Sequence, residues 1–309
     1  MDSLPQLAET VFLTDSGLET DLIFHHGYDL PDFAAFVLLD DEAGTETLRR
    51  YYREHATIAR DAGVGIVLES PTWRASPDWG ERLGYPPERL ADVNRRAIAL
   101  LVDLRDELSG EVRPVVISGC VGPRGDGYRP AELMSEDEAQ RYHSTQIATF
   151  GATEADLVTA MTITYAEEAT GIARAAQEAG VPVVISFTVE TDGKLPNGSS
   201  LEDAVRAVDR ATDGYPAYYM VNCAHPSHFS AVLADGGDWT SRLRGVRANA
   251  SRRSHAELDE AEDLDDGDPQ QLAREYRQLR EATPHLTVLG GCCGTDRRHV
   301  QEIATACIV

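Results

Sequence analysis

Short apolar runs alternate with longer stretches of helical periodicity along the whole chain. The runs at 11–14, 65–69, 114–118, 156–160, 182–187, 217–221, 245–248 and 286–289 read as strands. They are apolar without alternation, the pattern of strands buried on both faces. Between them, apolar positions recur at helical spacing. Over 45–62 they are Leu48, Tyr51, Tyr52, His55, Ile58 and Ala59, and further helices are predicted over 88–108, 136–150, 166–179, 201–211, 227–233, 269–282 and 296–306. Eight strand–helix units predict a (β/α)8 TIM barrel, in the α/β class, forming a single domain over 1–309. A doubly wound open sheet is the alternative. The turn after the first strand, Asp15-Ser16-Gly17-Leu18-Glu19, lacks the glycine-rich dinucleotide pattern that such a sheet often carries.

One segment breaks the pattern. Residues 251–269 hold Glu257, Asp259, Glu260, Glu262, Asp263, Asp265, Asp266 and Asp268. Like charges at this density repel, so the acidic loop at 256–268 is expected to be solvated and mobile. Calcium ligation is the other reading, but EF-hand spacing is absent.

Charge narrows the partners. The formal net charge is −24, and the basic patch that nucleic acid or an anionic membrane requires is not expected. Lys194 is the only lysine, a bias that fits either adaptation to high salt or an arginine-favouring genome. No apolar run approaches the roughly 20 residues of a membrane span. The start, Met1-Asp2-Ser3-Leu4-Pro5, has no signal-peptide character. Five cysteines, two of them adjacent, make a poor disulfide framework and suit a reducing, cytoplasmic setting.

The cysteines carry the candidate chemistry. Gly290-Gly291-Cys292-Cys293-Gly294-Thr295 follows the last apolar run, and Cys223 follows the sixth in Asn222-Cys223-Ala224-His225. Neighbouring strand residues point to opposite faces. Adjacent thiols therefore converge only where the backbone leaves the strand, a departure that the flanking glycines are expected to permit. In a barrel, the loops after strands six and eight meet over the mouth. Three thiolates without a fourth protein ligand would leave zinc an open position, as in catalytic sites. Other readings stand beside this one. The cysteines could be core residues, as expected for Cys120 and Cys307. The vicinal pair could form a strained disulfide, or Gly290-Gly291 could cradle a phosphate. His225 and His228 are further metal candidates. The other polar residues at strand ends include Asp15, Glu19, Glu69, Ser118, Thr162, Ser186, Glu190 and Asn249.

Taken together, the Gly-Gly-Cys-Cys-Gly-Thr run, the Asn222-Cys223 step and Asp15-Ser16-Gly17-Leu18-Glu19-Thr20 resemble the zinc-dependent homocysteine S-methyltransferases, both betaine- and S-methylmethionine-dependent. Gly119-Cys120-Val121-Gly122-Pro123-Arg124-Gly125, Ile185-Ser186-Phe187-Thr188-Val189 and Leu195-Pro196-Asn197-Gly198-Ser199-Ser200-Leu201 extend the resemblance, which runs from about 11 to 305. It implies Zn2+ held by Cys223, Cys292 and Cys293, with the substrate thiol in the open position. The zinc-bound thiolate, by default homocysteine, would attack the methyl group of a sulfonium or quaternary ammonium donor such as S-methylmethionine, giving methionine. No catalytic residue beyond that thiolate is implied. The partners are then a small-molecule thiol and a methyl donor, with oligomerisation left open.

Several positions depart from the family pattern. Met161-Thr162 stands where the family commonly has a Glu-Thr step whose glutamate holds the homocysteine amino group. Ser16 replaces a usual glycine. The second strand leads into Glu69-Ser70-Pro71-Thr72-Trp73-Arg74, and the seventh reads Arg247-Ala248-Asn249-Ala250 in place of Pro-Asn-Ala-Gly. The expected substrate residues are Asp15, Glu69, Asn222, Asn249 and Trp73. Glu69 is expected to replace the lost carboxylate, and Trp73 to stack on a cationic donor or an aromatic thiol. The alternatives are a different small thiol or selenol as acceptor, or a non-catalytic zinc and thiol-binding module that needs a partner. A further one is an unrelated barrel hydrolase or aldolase using Glu69 and Asp15 as acid and base.

Overall fold

A computed structural model describes residues 4–8, 10–128, 133–261 and 263–308. Met1-Asp2-Ser3 and Glu262 of the acidic segment lie outside them. Eight parallel strands close into a barrel in sequence order: β1 (Phe12–Leu13), β2 (Gly65–Glu69), β3 (Val115–Val121), β4 (Leu157–Ile163), β5 (Val183–Phe187), β6 (Tyr218–Asn222), β7 (Leu243–Ala248) and β8 (Val288–Gly291). Phe12 pairs with both Gly65 and Val288, closing the ring and excluding the open sheet. The predicted (β/α)8 architecture is the observed one.

The helices are α1 (Leu18–Thr20), α2 (Glu42–Asp61), α3 (Pro77–Arg82), α4 (Pro87–Glu107), α5 (Glu136–Gly151), α6 (Ala166–Ala179), α7 (Leu201–Thr212), α8 (Pro226–Ala234), α9 (His255–Asp259), α10 (Pro269–Ala282) and α11 (Arg297–Cys307). Local chemistry sets many of their ends. Asp41, Ser135, Ser200, Asp268 and Asp296 accept from backbone N–H groups of the first turns of α2, α5, α7, α10 and α11, supplying acceptors for donors that have no partner inside the helix. α6 ends on Gly180 at φ +69°, the left-handed cap that glycine adopts without strain.

Strand parity positions the site. Inward side chains recur every second residue. At the lower end they are apolar, with Phe12, Val67, Val116, Leu157, Val184 and Met220 in one cluster inside the barrel. The same stripes continue upward as Glu69, Ser118 and Cys120, Thr159 and Met161, Ser186, Asn222 and Arg247. The hydroxyls of Ser118 and Thr159 lie 2.7 Å apart, and Ser186 donates to Asn222 Oδ1 at 2.6 Å, so a hydrogen-bonded layer separates the apolar floor from the mouth. The larger core lies outside the sheet, between strands and helices.

Three local expectations change. β8 runs two residues beyond its predicted end, because Gly290 and Gly291 stay in the ladder with Arg247 and Ala248. α3 was not predicted; it is a short helix with proline at its start. The acidic segment contains α9, which opens on a capping box between Ser254 and Glu257.

Candidate active site

The three sulfurs meet. Cys223 Sγ lies 2.7 Å from Cys292 Sγ and 3.5 Å from Cys293 Sγ, and the three atoms form a group within 4.8 Å of one another. Two backbone departures bring this about. Cys223 itself takes φ +55° at the end of β6, an uncommon conformation for a residue with a side chain. Three donors hold its carbonyl: Asn249 Nδ2 at 3.1 Å, His255 Nε2 at 2.7 Å and Thr188 Oγ1 at 3.3 Å. Past β8, the chain turns over 292–295, with Thr295 N donating to Cys292 O at 3.0 Å. Gly294 supplies φ +77° at the third turn position, where a type II turn requires it.

Gly290 and Gly291 act differently from the sequence expectation. Neither has positive φ; a Cβ on them would come within 1.9 Å of Thr14 Oγ1 and 2.1 Å of Thr295 Oγ1. They are glycines because Thr14, in the loop after β1, packs against Gly290, and Thr295, in the turn after β8, packs against Gly291. Those contacts also cover them, so they offer no open phosphate cradle. Gly17 makes a similar close approach, its missing Cβ lying 2.4 Å from Cys292 O. Cys292 and Cys293 are free thiols, not a disulfide, and Cys120 and Cys307 stand apart from the trio. His225 and His228 are also outside it. His225 caps α8 through Ser227 N and faces Glu275 at 3.2 Å, while His228 bonds Arg252 O.

The charge state of the trio explains what it would bind. The thiols of Cys223 and Cys293 donate toward Cys292, whose pKa is lowered chiefly by these contacts, with help from Arg247 and Asn222. The pKa values of Cys223 and Cys293 are raised, first by the contact with Cys292 for Cys223 and by the contact with Cys223, then Cys292, for Cys293. One negative charge is favoured and three are not, unless a cation joins them. Sulfurs on a zinc tetrahedron at about 2.3 Å stand roughly 3.8 Å apart; Cys223 and Cys293, at 3.5 Å, are near that spacing, and Cys223 and Cys292, at 2.7 Å, would have to move apart. The soft three-sulfur donor set fits Zn2+.

Beside the trio lies a buried ion pair. Arg247 reaches Asp15 Oδ1 at 2.7 Å and donates to Gly291 O and Ser16 O, both at 3.0 Å. Tyr51 donates to Asp15 Oδ2 at 3.3 Å. Ser16, where the family usually has glycine, bonds Tyr51 and His55 Nε2 through its hydroxyl. Burial raises the Asp15 pKa, and Arg247 and His55 pull it partly back. Burial also opposes the Arg247 charge, but Asp15, Glu69 and Cys292 outweigh it, so Arg247 stays cationic. Asp15 is therefore engaged, which removes the free acid–base pair that a hydrolase or aldolase would need. Burial pushes Glu69 and Glu19 up to about 7, and Glu69 Oε2 has no hydrogen-bond partner.

A cavity of about 330 Å³ joins these groups; Asp15, Glu69, Trp73, Met161, Asn222 and the three cysteines are among its lining. Trp73 Nε1 donates to Met161 O at 3.3 Å. Asn222 is saturated: its Oδ1 accepts from Thr162 N and Ser186, and its Nδ2 faces Thr162 Oγ1 at 2.8 Å and Cys292 Sγ at 3.7 Å. Asn249 is not part of the lining and braces Cys223 from behind. Among the lining residues that escaped the sequence reading as site members, two lie beside the trio and its ion pair. Arg247 was legible from parity, since it sits opposite Asn222 on the inward stripe. Tyr128, whose hydroxyl lies 3.5 Å from both Cys223 Sγ and Cys293 Sγ, comes from an irregular loop and carries no such signal.

The acidic segment is part of the site rather than a free loop. His255 stacks on Tyr128 at 4.0 Å and faces Glu190 at 3.1 Å, while Leu258, Asp263, Leu264 and Asp265 join the cavity wall. Its like charges are offset locally. Asp265 accepts from Ser251 and faces Arg253 at 3.5 Å, and Arg298 holds Asp266 at 2.8 Å and Asp296 at 2.6 Å. Among the described residues, Asp266, Asp296 and His25 form the second group with metal-ligand spacing, and Arg298 already occupies its carboxylates.

Comparison with known proteins agrees with the fold and gives the family. The homocysteine S-methyltransferase family model matches residues 12–307. Homocysteine S-methyltransferase 1 of Arabidopsis thaliana is 22% identical over 314 residues, covering 94% of this chain and 92% of its own. Among solved structures, the metallated form of the homocysteine methyltransferase MmuM from Escherichia coli is 21% identical, covers 96% of each chain and superposes with a TM-score of 0.74. Its oxidized form covers 98% of each chain at 21% identity, with a TM-score of 0.76. Among the described residues, no helix is long and apolar enough to cross a membrane.

Proposed function

The chain belongs to the homocysteine S-methyltransferase family and is an S-methyltransferase; from that premise we propose that it methylates a small thiol, homocysteine by default, using zinc and a sulfonium or quaternary ammonium donor such as S-methylmethionine. The observation that carries this reading is the convergence of Cys223, Cys292 and Cys293 on the cavity. Zinc at these residues would keep the acceptor sulfur deprotonated at neutral pH, where a free thiol of pKa about 8.5 is only a few per cent ionised.

The protein's own residues do the rest. Asn222 and Tyr128 place donors beside the cysteine sulfurs, tempering their charge and fixing their positions. Trp73 presents an indole to the cavity, suited to a cationic donor. The acceptor sulfur bonds to the methyl carbon as the bond from methyl to the donor's sulfur or nitrogen breaks. The electron pair leaves with the donor, which departs neutral and needs no general acid. Alignment and exclusion of water supply most of the acceleration, and the acidic segment with α9 forms the wall that excludes it.

The test is methyl transfer by the zinc-loaded protein given homocysteine and S-methylmethionine, read as methionine by mass spectrometry. Methionine formation supports the default pair. No methionine from protein that still binds zinc through three sulfurs would move the acceptor or donor elsewhere. A second reading, a different small thiol, is favoured by Met161, which presents an apolar wall, and by Asp15, which is already paired with Arg247.

Glu69 then becomes the candidate ammonium anchor. Glu69→Gln is expected to weaken homocysteine binding about tenfold or more, the scale of a lost charge-assisted hydrogen bond; unchanged affinity in a calorimetric titration would discard the role. The same variant should alter pH dependence. Folding raises the Glu69 pKa from 4.5 to about 7, so the folded state binds more protons than the unfolded state between those values. Its contribution to stability is therefore lost as pH rises through that window. Urea unfolding of Glu69→Gln is expected to show a shallower decline from pH 5 to pH 8.

A further inference from the structure

The mouth holds a cation that the reading so far does not use. Arg74 follows β2 in the turn that carries Trp73, and it lines the same cavity as the cysteine trio. Its guanidinium is held between two indoles, 3.9 Å from the Trp73 ring centroid and 3.8 Å from that of Trp79. Both faces are covered, so only the edge can make hydrogen bonds. One edge position is used, with Nη1 donating to Gly125 O at 3.1 Å. Nε is buried and has no partner.

This is an unusual state for a charge in this protein. Most of its arginines face carboxylates at ion-pairing distance; among the described residues, none does so for Arg74. The residue is 5% exposed. Burial pulls its pKa down to about 10, with Asp126, Glu19 and Asp32 opposing this from beyond ion-pairing range. It therefore remains charged at neutral pH. An unpaired buried cation is costly, and the missing partner has a defined shape. A planar fork fixed between two rings matches a carboxylate in the same plane. Because the rings already immobilise the side chain, a ligand need not order it.

We propose that Arg74 forms a carboxylate subsite at the cavity mouth, which takes the carboxylate of the acceptor thiol or of the methyl donor. The proposal rests on the thiol-methylation reading and deepens it: one of the two substrates is a carboxylic acid, recognised by Arg74 at a distance from its reacting atom. Trp73 then has two roles, one face packing on Arg74 and the ring lining the space beside Met161.

The test is calorimetric titration of the zinc-loaded protein and its Arg74→Gln and Arg74→Lys variants with matched ligands. The acceptor pair is 3-mercaptopropionate and 3-mercaptopropanamide. The donor pair is dimethylsulfoniopropionate and its amide. Arg74→Gln is expected to weaken the carboxylate member of one pair tenfold or more and its amide by less than twofold, with Arg74→Lys in between. The affected pair identifies which substrate carries the group. Equal losses for acid and amide, or no loss in either pair, overturn the proposal and leave Arg74 as a brace for Gly125. A wild-type protein that binds thiols but does not distinguish acid from amide in either pair also overturns it. If the wild-type protein binds neither thiol, the thiol-site reading itself fails, and this inference with it.

Discussion

Cys292→Ala is expected to abolish methyl transfer and to cut bound zinc from about one per chain to a small fraction. The effect should be large because the three sulfurs are a group around this cavity able to hold a metal ion, and two sulfurs would leave zinc one protein ligand short of the three that a catalytic site uses. Cys292 is also the thiol most readily ionised in the trio, beside Arg247 and Asn222. Loss of the ion would return the acceptor to a few per cent thiolate and remove its fixed position, together on the order of 10³-fold or more in rate. Metal analysis and methionine formation measured on the same preparation check this. Cys307→Ala is the control, since Cys307 lies on α11 away from the trio. A Cys292→Ala protein that retains full zinc and full turnover would refute the assignment of the metal site.

Arg247→Met is expected to destabilise the fold by about 3–5 kcal/mol at pH 8, the usual cost of breaking a buried ion pair by removing one partner. The variant strands Asp15 in a buried site and removes donors from Gly291 O and Ser16 O. The pH dependence has a definite sign. Burial already raises the Asp15 pKa, and without Arg247 it rises further. The destabilisation should therefore shrink as pH falls to 5 and Asp15 takes up a proton. Asp15→Asn combined with Arg247→Met should recover much of the loss, which urea unfolding of both single variants and the double variant would measure. Additive losses in that cycle would mean that the pair is not coupled.

These two outcomes concern different layers of the same mouth. The cysteines are placed by turns at the strand ends, while in the ion pair Arg247 is placed by strand parity on β7 and Asp15 by the loop after β1. Asp15 was expected to meet the substrate ammonium, yet it is joined to a cation of the protein itself. That pairing leaves Glu69, with its unpartnered oxygen, as a buried acid facing the cavity beside the cysteines. The change follows from Arg247 alone, whose side chain points inward because it is two residues beyond Gly245 on β7.

The sequence by itself determined the barrel and the identity of the three cysteines. Eight apolar runs separated by amphipathic stretches leave few other packings that bury both faces of every strand. Cysteines placed after the sixth and eighth runs must then come together at one end. What the sequence did not reveal were contacts between segments far apart in the chain. Gly290 and Gly291 looked like bending points, but their reason is close packing, of Thr14 from the loop after β1 against Gly290 and of Thr295 from the turn after β8 against Gly291. The acidic segment looked too charged to settle, but Ser251, Arg253 and Arg298 offset its carboxylates, and His255 docks it on Cys223. Nothing in the sequence placed Arg74 between Trp73 and Trp79. Periodicity is local and depends on which residues alternate. Charge compensation and close approach depend on which residues meet, and only the closed barrel decides that.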